Sequence, residues 1–311
     1  MVGPRTQETE GSAKTHSNVP IMRNLVKELA AKWKRLTMQY GFRRAPVLAV
    51  SRLISWRAKC SLQKMATVKL HKLDLQLLLP VKWEGIGRSI FAFREHYEPE
   101  LAFLQHVLSP GATFVDVGAN LGIYTLMAGR IVGHLGRVIA FEPSVQSFPL
   151  LRQNIALNRL TNVHAFPVAL SEKTGQSLLY HAPCPSGNSL GKDPSFNGNC
   201  EVVVTESLDN IVHEVSVERV DVIKMDVQGA EELVLRGAQN VAASMKPVII
   251  FEFYPEGAAL LGLSPYGAWE LLEGLGYEFF AVCSAGTISR MKSPPADIKY
   301  ANVVAIHKKL N

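Results

Sequence analysis

Cysteine is scarce in this chain of 311 residues: Cys60, Cys184, Cys200 and Cys283 are its four, and no two form a Cys-x-x-Cys pair. A zinc ribbon or redox dithiol is therefore not expected, and the four read as free thiols. Cys184 and Cys200 bracket a Gly/Pro/Ser/Asn-rich loop and would pair only in an exported protein. Long apolar runs are also missing. The longest candidate, near Ala45 to Trp56, is broken by Ser51 and Arg52, short of the roughly 18 residues of a membrane span. The N-terminus lacks the basic-then-apolar order of a secretion signal, so the expectation is cytoplasmic. Acidic residues are rare at the head: residues 1–70 carry 14 Lys+Arg against 3 Asp+Glu, while 71–311 carry 19 against 24. The net charge of +6 is thus +11 in the head and −5 in the body, and an acidic body argues against nucleic acid as its partner. The remaining composition, 47% hydrophobic and 19% charged, is that of a globular protein with a substantial core.

What is present divides the chain in three. Residues 1–18 have the composition of a disordered tail. Residues 19–65 form a basic helical extension in which Leu25, Leu29, Trp33 and Leu36 fall on one helical face. Packing of that stripe on the body is the first expectation; peripheral contact of segment 20–64 with anionic lipid is the alternative. Residues 66–311 form the main domain, with an inserted hairpin and loop over 172–207.

The most informative stretch runs from Thr113 to Pro143. Phe114, Val115 and Val117 end in Gly118, the pattern of a buried parallel strand stopping at a tight turn. Gly118 and Gly122 let the backbone turn sharply and approach a ligand, and Asn120 tolerates the left-handed region. Leu121, Thr125, Ala128 and Val132 then recur at helical spacing, so a helix N-terminus faces the crevice. The second strand, Val138 to Phe141, ends in Glu142, placed to accept hydrogen bonds from ribose hydroxyls. NAD and S-adenosylmethionine both carry an adenosine. The dinucleotide fingerprint needs a second Gly where this chain has Asn120, and the acid Asp116 suits a sulfonium and an ammonium better than a pyrophosphate. The methyl donor is favoured.

Downstream, the reading is a ribbon in 66–94, a helix from Tyr97 to Leu108, a helix after Ser144, and strands at 163–168, 220–226 and 248–251. A final strand pair at 277–283 and 302–307 brings the sheet to seven. The fold class is α/β, Rossmann-like, with a mostly parallel seven-stranded sheet whose last strand enters antiparallel, the class I methyltransferase arrangement.

With these motifs in view, the chain resembles the FkbM-type methyltransferases over roughly residues 80 to 307. The likeness rests on Tyr97-Glu-Pro-Glu100, Val115 to Tyr124, Phe141-Glu-Pro143, Val168-Ala-Leu-Ser171, Ile223 to Glu231 and Glu252. It implies S-adenosylmethionine as cofactor and methyl transfer, commonly to oxygen on sugars, polyketides or other secondary metabolites. It also implies that Tyr97 and Glu98 close over the cofactor, that Tyr124 belongs to the binding turn and that Ala169 borders the adenine. One departure is Gln228, where the family often has Glu.

The acceptor side is expected at the carboxyl ends of the fourth and fifth strands. Asp226 and Glu252 end those strands and are the candidates for general base or acceptor orientation. Glu231, in the next helix, either turns toward the crevice or lies on a solvated face, and His96 is a further candidate base. Asn188 and Ser189 in the loop are placed to bond a polar acceptor. No metal ligand set can be identified around Asp226. The expected partner is a small-molecule, glycan or glycolipid acceptor bearing a hydroxyl; an RNA or protein methyltransferase and a non-catalytic adenosyl-binding scaffold are the rivals. No Asn/Asp-Pro-Pro-Tyr-like motif follows the fourth strand to hold an amino nitrogen.

Overall fold

The structure, a computed structural model, describes residues 27, 28, 30, 31, 33, 34, 36–82, 85–195, 198–295 and 299–310. The expected tail, 1–18, and Leu25 and Leu29 of the expected stripe lie outside them. Two helices, Tyr40–Arg44 and Pro46–Leu62, lead into an antiparallel ribbon of β1 (Met65–Leu70) and β2 (Leu75–Pro80). Its residues are buried alternately, as a strand covered on one face must be. The ribbon stops at Pro80 rather than running on toward residue 94. Ile86, Ile90 and Phe93 follow helical spacing, and Gly85 (φ 104°) opens the helix Ile86–Phe93 in their place.

The central sheet uses β3 (Thr113–Val117), β4 (Arg137–Phe141), β5 (Val163–Phe166), β9 (Val222–Met225), β10 (Val248–Phe253), β11 (Tyr277–Val282), β12 (Ile288–Met291) and β13 (Ala301–His307). Their order across the sheet is β12-β11-β13-β10-β9-β3-β4-β5. β5, β4, β3, β9 and β10 pair in parallel, and β13 enters antiparallel between β10 and β11. Phe114, Val115, Ile139, Phe141, Ile223, Ile249 and Phe251 are almost wholly buried, which is why these central strands read as apolar runs without alternation. The sheet has eight strands, one more than the sequence suggested. The extra edge strand β12 carries Ser289 and Arg290, is largely exposed, and offers too little apolar signal to be read in advance.

Between β5 and β9 the chain builds a second sheet, in the order β6-β8-β7, from β6 (Ala169–Leu170), β7 (Gly175–Tyr180) and β8 (Cys200–Glu206). The loop between β7 and β8 folds back over the carboxyl ends of the central strands, bridged to β7 between Tyr180 and Ser189 and tied to the turn after β9 by the Ser189 hydroxyl, which donates to the Gln228 carbonyl. The ribbon is fixed just as specifically. Asn154 in the helix Phe148–Leu157 and Asn158 capping its C-terminal end accept from the N–H of Leu78 (2.6 Å) and Gln76 (2.7 Å) and donate to the same residues' carbonyls. Two side chains thus satisfy the open edge of β2.

Candidate functional site

The crevice above β3, β4, β9 and β10 is built from backbone turns. β3 ends in Gly118 (φ 79°), Asn120 (φ 50°) and Gly122 (φ 91°), all in the left-handed region. A β-carbon on Gly118 would overlap the carbonyl oxygen of Asp226, so only glycine fits where the β3 and β9 turns meet. Glu142, just after β4, is buried. Its carboxylate accepts from the Asn120 N–H (2.8 Å) and the Ser144 N–H (3.0 Å), locking the two turns together. Burial pushes this carboxyl up to about 7 against the pull of those two N–H groups.

Glu142, Gly118, Asn120, Pro143, Val168, Ala169 and Leu170 line a narrow cleft of about 90 Å³, roofed by Ile86 and by Pro185 to Leu190 of the β7–β8 loop. Beside it opens a cavity of about 510 Å³ that includes Glu98, His181, Asp226, Gln228, Glu252, Tyr254 and Tyr300. Tyr97, Ser186, Ser189 and Asp226 line both. Asp226 is exposed to this shared space, while the Gln228 amide donates to Asp226 Oδ1 at 2.8 Å and to Glu252 Oε2 at 2.7 Å. Burial, then the charges of Asp226 and Glu231, raise the Glu252 carboxyl to about 9, so it holds its proton at neutral pH.

Beneath this pair lies Lys224, 2% exposed, its Nζ donating to the Met225 carbonyl at 3.1 Å and standing 5.4 Å from the centre of the Tyr124 ring. Burial alone would lower its pKa, but Asp226, Glu98, Glu252 and Glu100 reverse that and hold it above its usual value. Sequence reasoning missed Lys224 because a lone Lys inside an apolar strand reads as an interruption. Its one available signal was that a charge in a strand buried on both faces needs carboxylates close by.

Glu98 accepts from the Tyr124 hydroxyl at 2.5 Å, and burial raises its carboxyl in spite of Lys224 and Tyr124. Tyr124 itself is buried and does not reach the cleft. Asp116, expected to face the donor's positive charge, instead lies 2% exposed beneath the turn, accepting from the Thr125 hydroxyl and lining neither cavity. Burial pushes it up to about 6. Gly122 likewise stays outside both cavities, pressed against the Leu151 side chain. Glu231 is buried rather than solvated. Its two oxygens accept from the N–H groups of Val227 and Gly229, each at 3.0 Å, which shapes the turn carrying Gln228. His96 faces Tyr40 of the N-terminal helices and lines neither cavity.

The loop residues Asn188 and Ser189 lie at the cleft and also bond within the fold. Ser189 donates to the Gln228 carbonyl (3.0 Å), and Asn188 Oδ1 accepts from the Ala182 N–H (3.0 Å), so both hydrogen-bond within the fold. Asn188 also lies 3.4 Å from His181 Nδ1, and His181 Nε2 lies 3.4 Å from Glu201. Cys184 and Cys200 are free thiols. Among the described residues, no group of three or more His, Cys, Asp or Glu is arranged to hold a metal.

The chemistry of the cleft's lining suits an adenosine. The cleft offers apolar walls for a base, a carboxylate at the end of β4 for ribose hydroxyls, and the side-chain oxygen of Asn120, buried without a hydrogen-bond partner. Strand order and cleft together define a Rossmann-like class I methyltransferase. Residues 116–279 match the methyltransferase FkbM domain, and the chain belongs to that family. S-adenosylmethionine is its methyl donor.

Among its relatives is the methyltransferase sdnD of Sordaria araneosa, 30% identical over 174 residues, which cover 46% of this chain and 67% of that one. Another is the 31-O-demethyl-FK506 methyltransferase FkbM of Streptomyces tacrolimicus, 25% identical over 50% of this chain and 70% of its own. A third, the hexuronic acid methyltransferase AglP of Haloferax volcanii, is 30% identical over 43% of this chain and 53% of its own.

Proposed function

We propose that the enzyme methylates a hydroxyl of a small molecule, sugar or glycolipid. The observation that carries this reading is the position of Asp226, which lines both the nucleoside cleft and the larger cavity beside it. S-adenosylmethionine, when bound, supplies a methyl group already activated by its sulfonium. The protein's remaining work is to position the acceptor and hold a proton. Holding reacting atoms in near-attack geometry supplies on the order of 7–11 kcal/mol.

Glu142 accepts the ribose hydroxyls, Val168, Ala169 and Leu170 cover the base, and Asn120 Oδ1 takes a donor from the ligand. The cleft's 90 Å³ is smaller than the roughly 300 Å³ of a typical ligand site, so Pro185 to Leu190 yield to admit the donor. On the acceptor side, Asp226 receives the hydroxyl's hydrogen bond and takes its proton. Glu252, protonated at neutral pH, donates to a neighbouring acceptor oxygen, and Gln228 keeps the two carboxyl groups in register. Tyr254 and Tyr300, with ring centres 6.5 Å apart, give the cavity an aromatic wall of the kind that covers a sugar ring.

The acceptor class also draws on relatives named for 31-O-demethyl-FK506 and for a hexuronic acid. Incubation with labelled S-adenosylmethionine and fractionated cell extract tests it. Label on a low-molecular-weight or lipid-linked hydroxyl compound is expected, and label confined to RNA or protein would refute it.

A further inference from the structure

We propose that the outward face of the helix Pro46–Leu62 docks on the anionic surface of a lipid bilayer, an interaction separate from methyl transfer. The helix is firmly held by its other side. Ala49 and Trp56 are buried, and the Trp56 indole donates to the Lys82 carbonyl at 2.7 Å. The face pointing away from the body is Val47, Leu48, Ser51, Ile54, Ser55, Ala58, Ser61 and Leu62, spaced as one helical stripe without a charge. Its large side chains are strongly exposed, Val47 at 80%, Leu48 at 54%, Ile54 at 68% and Leu62 at 82%. Next to it, Trp33, Leu36, Val50, Leu53, Ile54 and Arg57 line an apolar groove of about 370 Å³. An apolar stripe on the solvent side of a helix inverts the usual amphipathic pattern and calls for an apolar partner.

Charge decides which partner. Between Glu28 and Asp74 the sequence has eleven Lys and Arg and no acid. Arg52 and Lys59 flank the stripe on one side and Arg57 on the other. Apolar residues between basic flanks are the pattern of a helix lying in the headgroup region of an anionic membrane. A second copy of the same surface would oppose like charges across the contact, and a nucleic acid would leave the apolar stripe uncovered. No described helix is long and apolar enough to cross a membrane, so the attachment is peripheral. The helix packs on Ile86–Phe93, whose Ile86 lines the nucleoside cleft, which sets the enzyme close to acceptors carried in a membrane.

The test is flotation of the full chain with vesicles of phosphatidylcholine, with and without phosphatidylglycerol. Binding to the anionic vesicles that salt reverses is expected, with a loss of about tenfold or more in Ile54→Asp/Leu62→Asp. Circular dichroism and S-adenosylmethionine affinity report whether that variant folds, and the milder Val47→Ser/Leu48→Ser replaces it if it does not. Absence of binding to either vesicle overturns the proposal, as does equal binding by a folded variant. A dimer in sedimentation velocity that the same substitutions dissolve would also overturn it, in favour of self-association. Because S-adenosylmethionine binding is measured separately, failure here is distinguishable from failure of the methyltransferase reading.

Discussion

The side-chain amide of Gln228 lies 2.7 Å from Glu252 Oε2 and also bonds Asp226, so one amide holds together two carboxyl groups from neighbouring strands. Gln228 sits at φ 55°, in a turn shaped by Glu231, and its geometry therefore depends on a buried carboxylate that never reaches the cavity. A Glu at this position would set a third acid between the other two, with Lys224 beneath to offset them.

Gln228→Glu should therefore cost stability, about 1–3 kcal/mol, because a donor shared by two carboxyl groups becomes an acceptor beside them. The loss should be small near pH 5, where the new acid stays protonated, and larger near pH 8. Turnover should fall by about tenfold or more. Urea unfolding at the two pH values, with steady-state rates, checks both.

Donor affinity should depend on pH through Glu142. Its carboxyl stands at about 7, and the ionised form is the better acceptor for ribose hydroxyls. Binding should tighten as pH rises through about 7, with uptake of the dependence into a single ionisation. In Glu142→Gln, calorimetry should show weaker binding that is nearly flat between pH 6 and pH 8.

Stability should move the opposite way. Glu252 is raised from 4.5 to about 9, so the folded state holds a proton that the unfolded chain has released. The stability it contributes is fully present below about 4.5 and is lost as pH rises through about 9. Glu100 and Glu231, each raised to about 7, act in the same sense over a lower window. Thermal unfolding without ligand should give a lower midpoint at pH 9 than at pH 5.5, and Glu252→Gln should flatten the slope.

The parallel strands, the Gly118 turn and Glu142 were legible in the sequence because each follows from local chemistry: a run of apolar residues, a glycine where φ is positive, an acid one strand later. Asp226 and Glu252 were legible as strand ends. Asp116 was misplaced because alternation along a strand decides which side a residue faces, and the motif does not say which side holds the ligand. Lys224 draws on Glu98 and Glu100, carboxyl groups that the fold brings to it from a distant part of the sequence, and no spacing announces that pairing. The edge strand β12 went unread for a different reason, its weak apolar pattern.

The most direct measurement is calorimetric titration of the full chain with S-adenosylmethionine and, separately, with NAD. The methyl donor should bind one per chain and NAD should not. Gly118→Val, which drives a side chain into the Asp226 carbonyl at φ 79°, should weaken that binding by about a hundredfold or abolish it. No heat with the methyl donor, or equal affinity for NAD, would contradict the account.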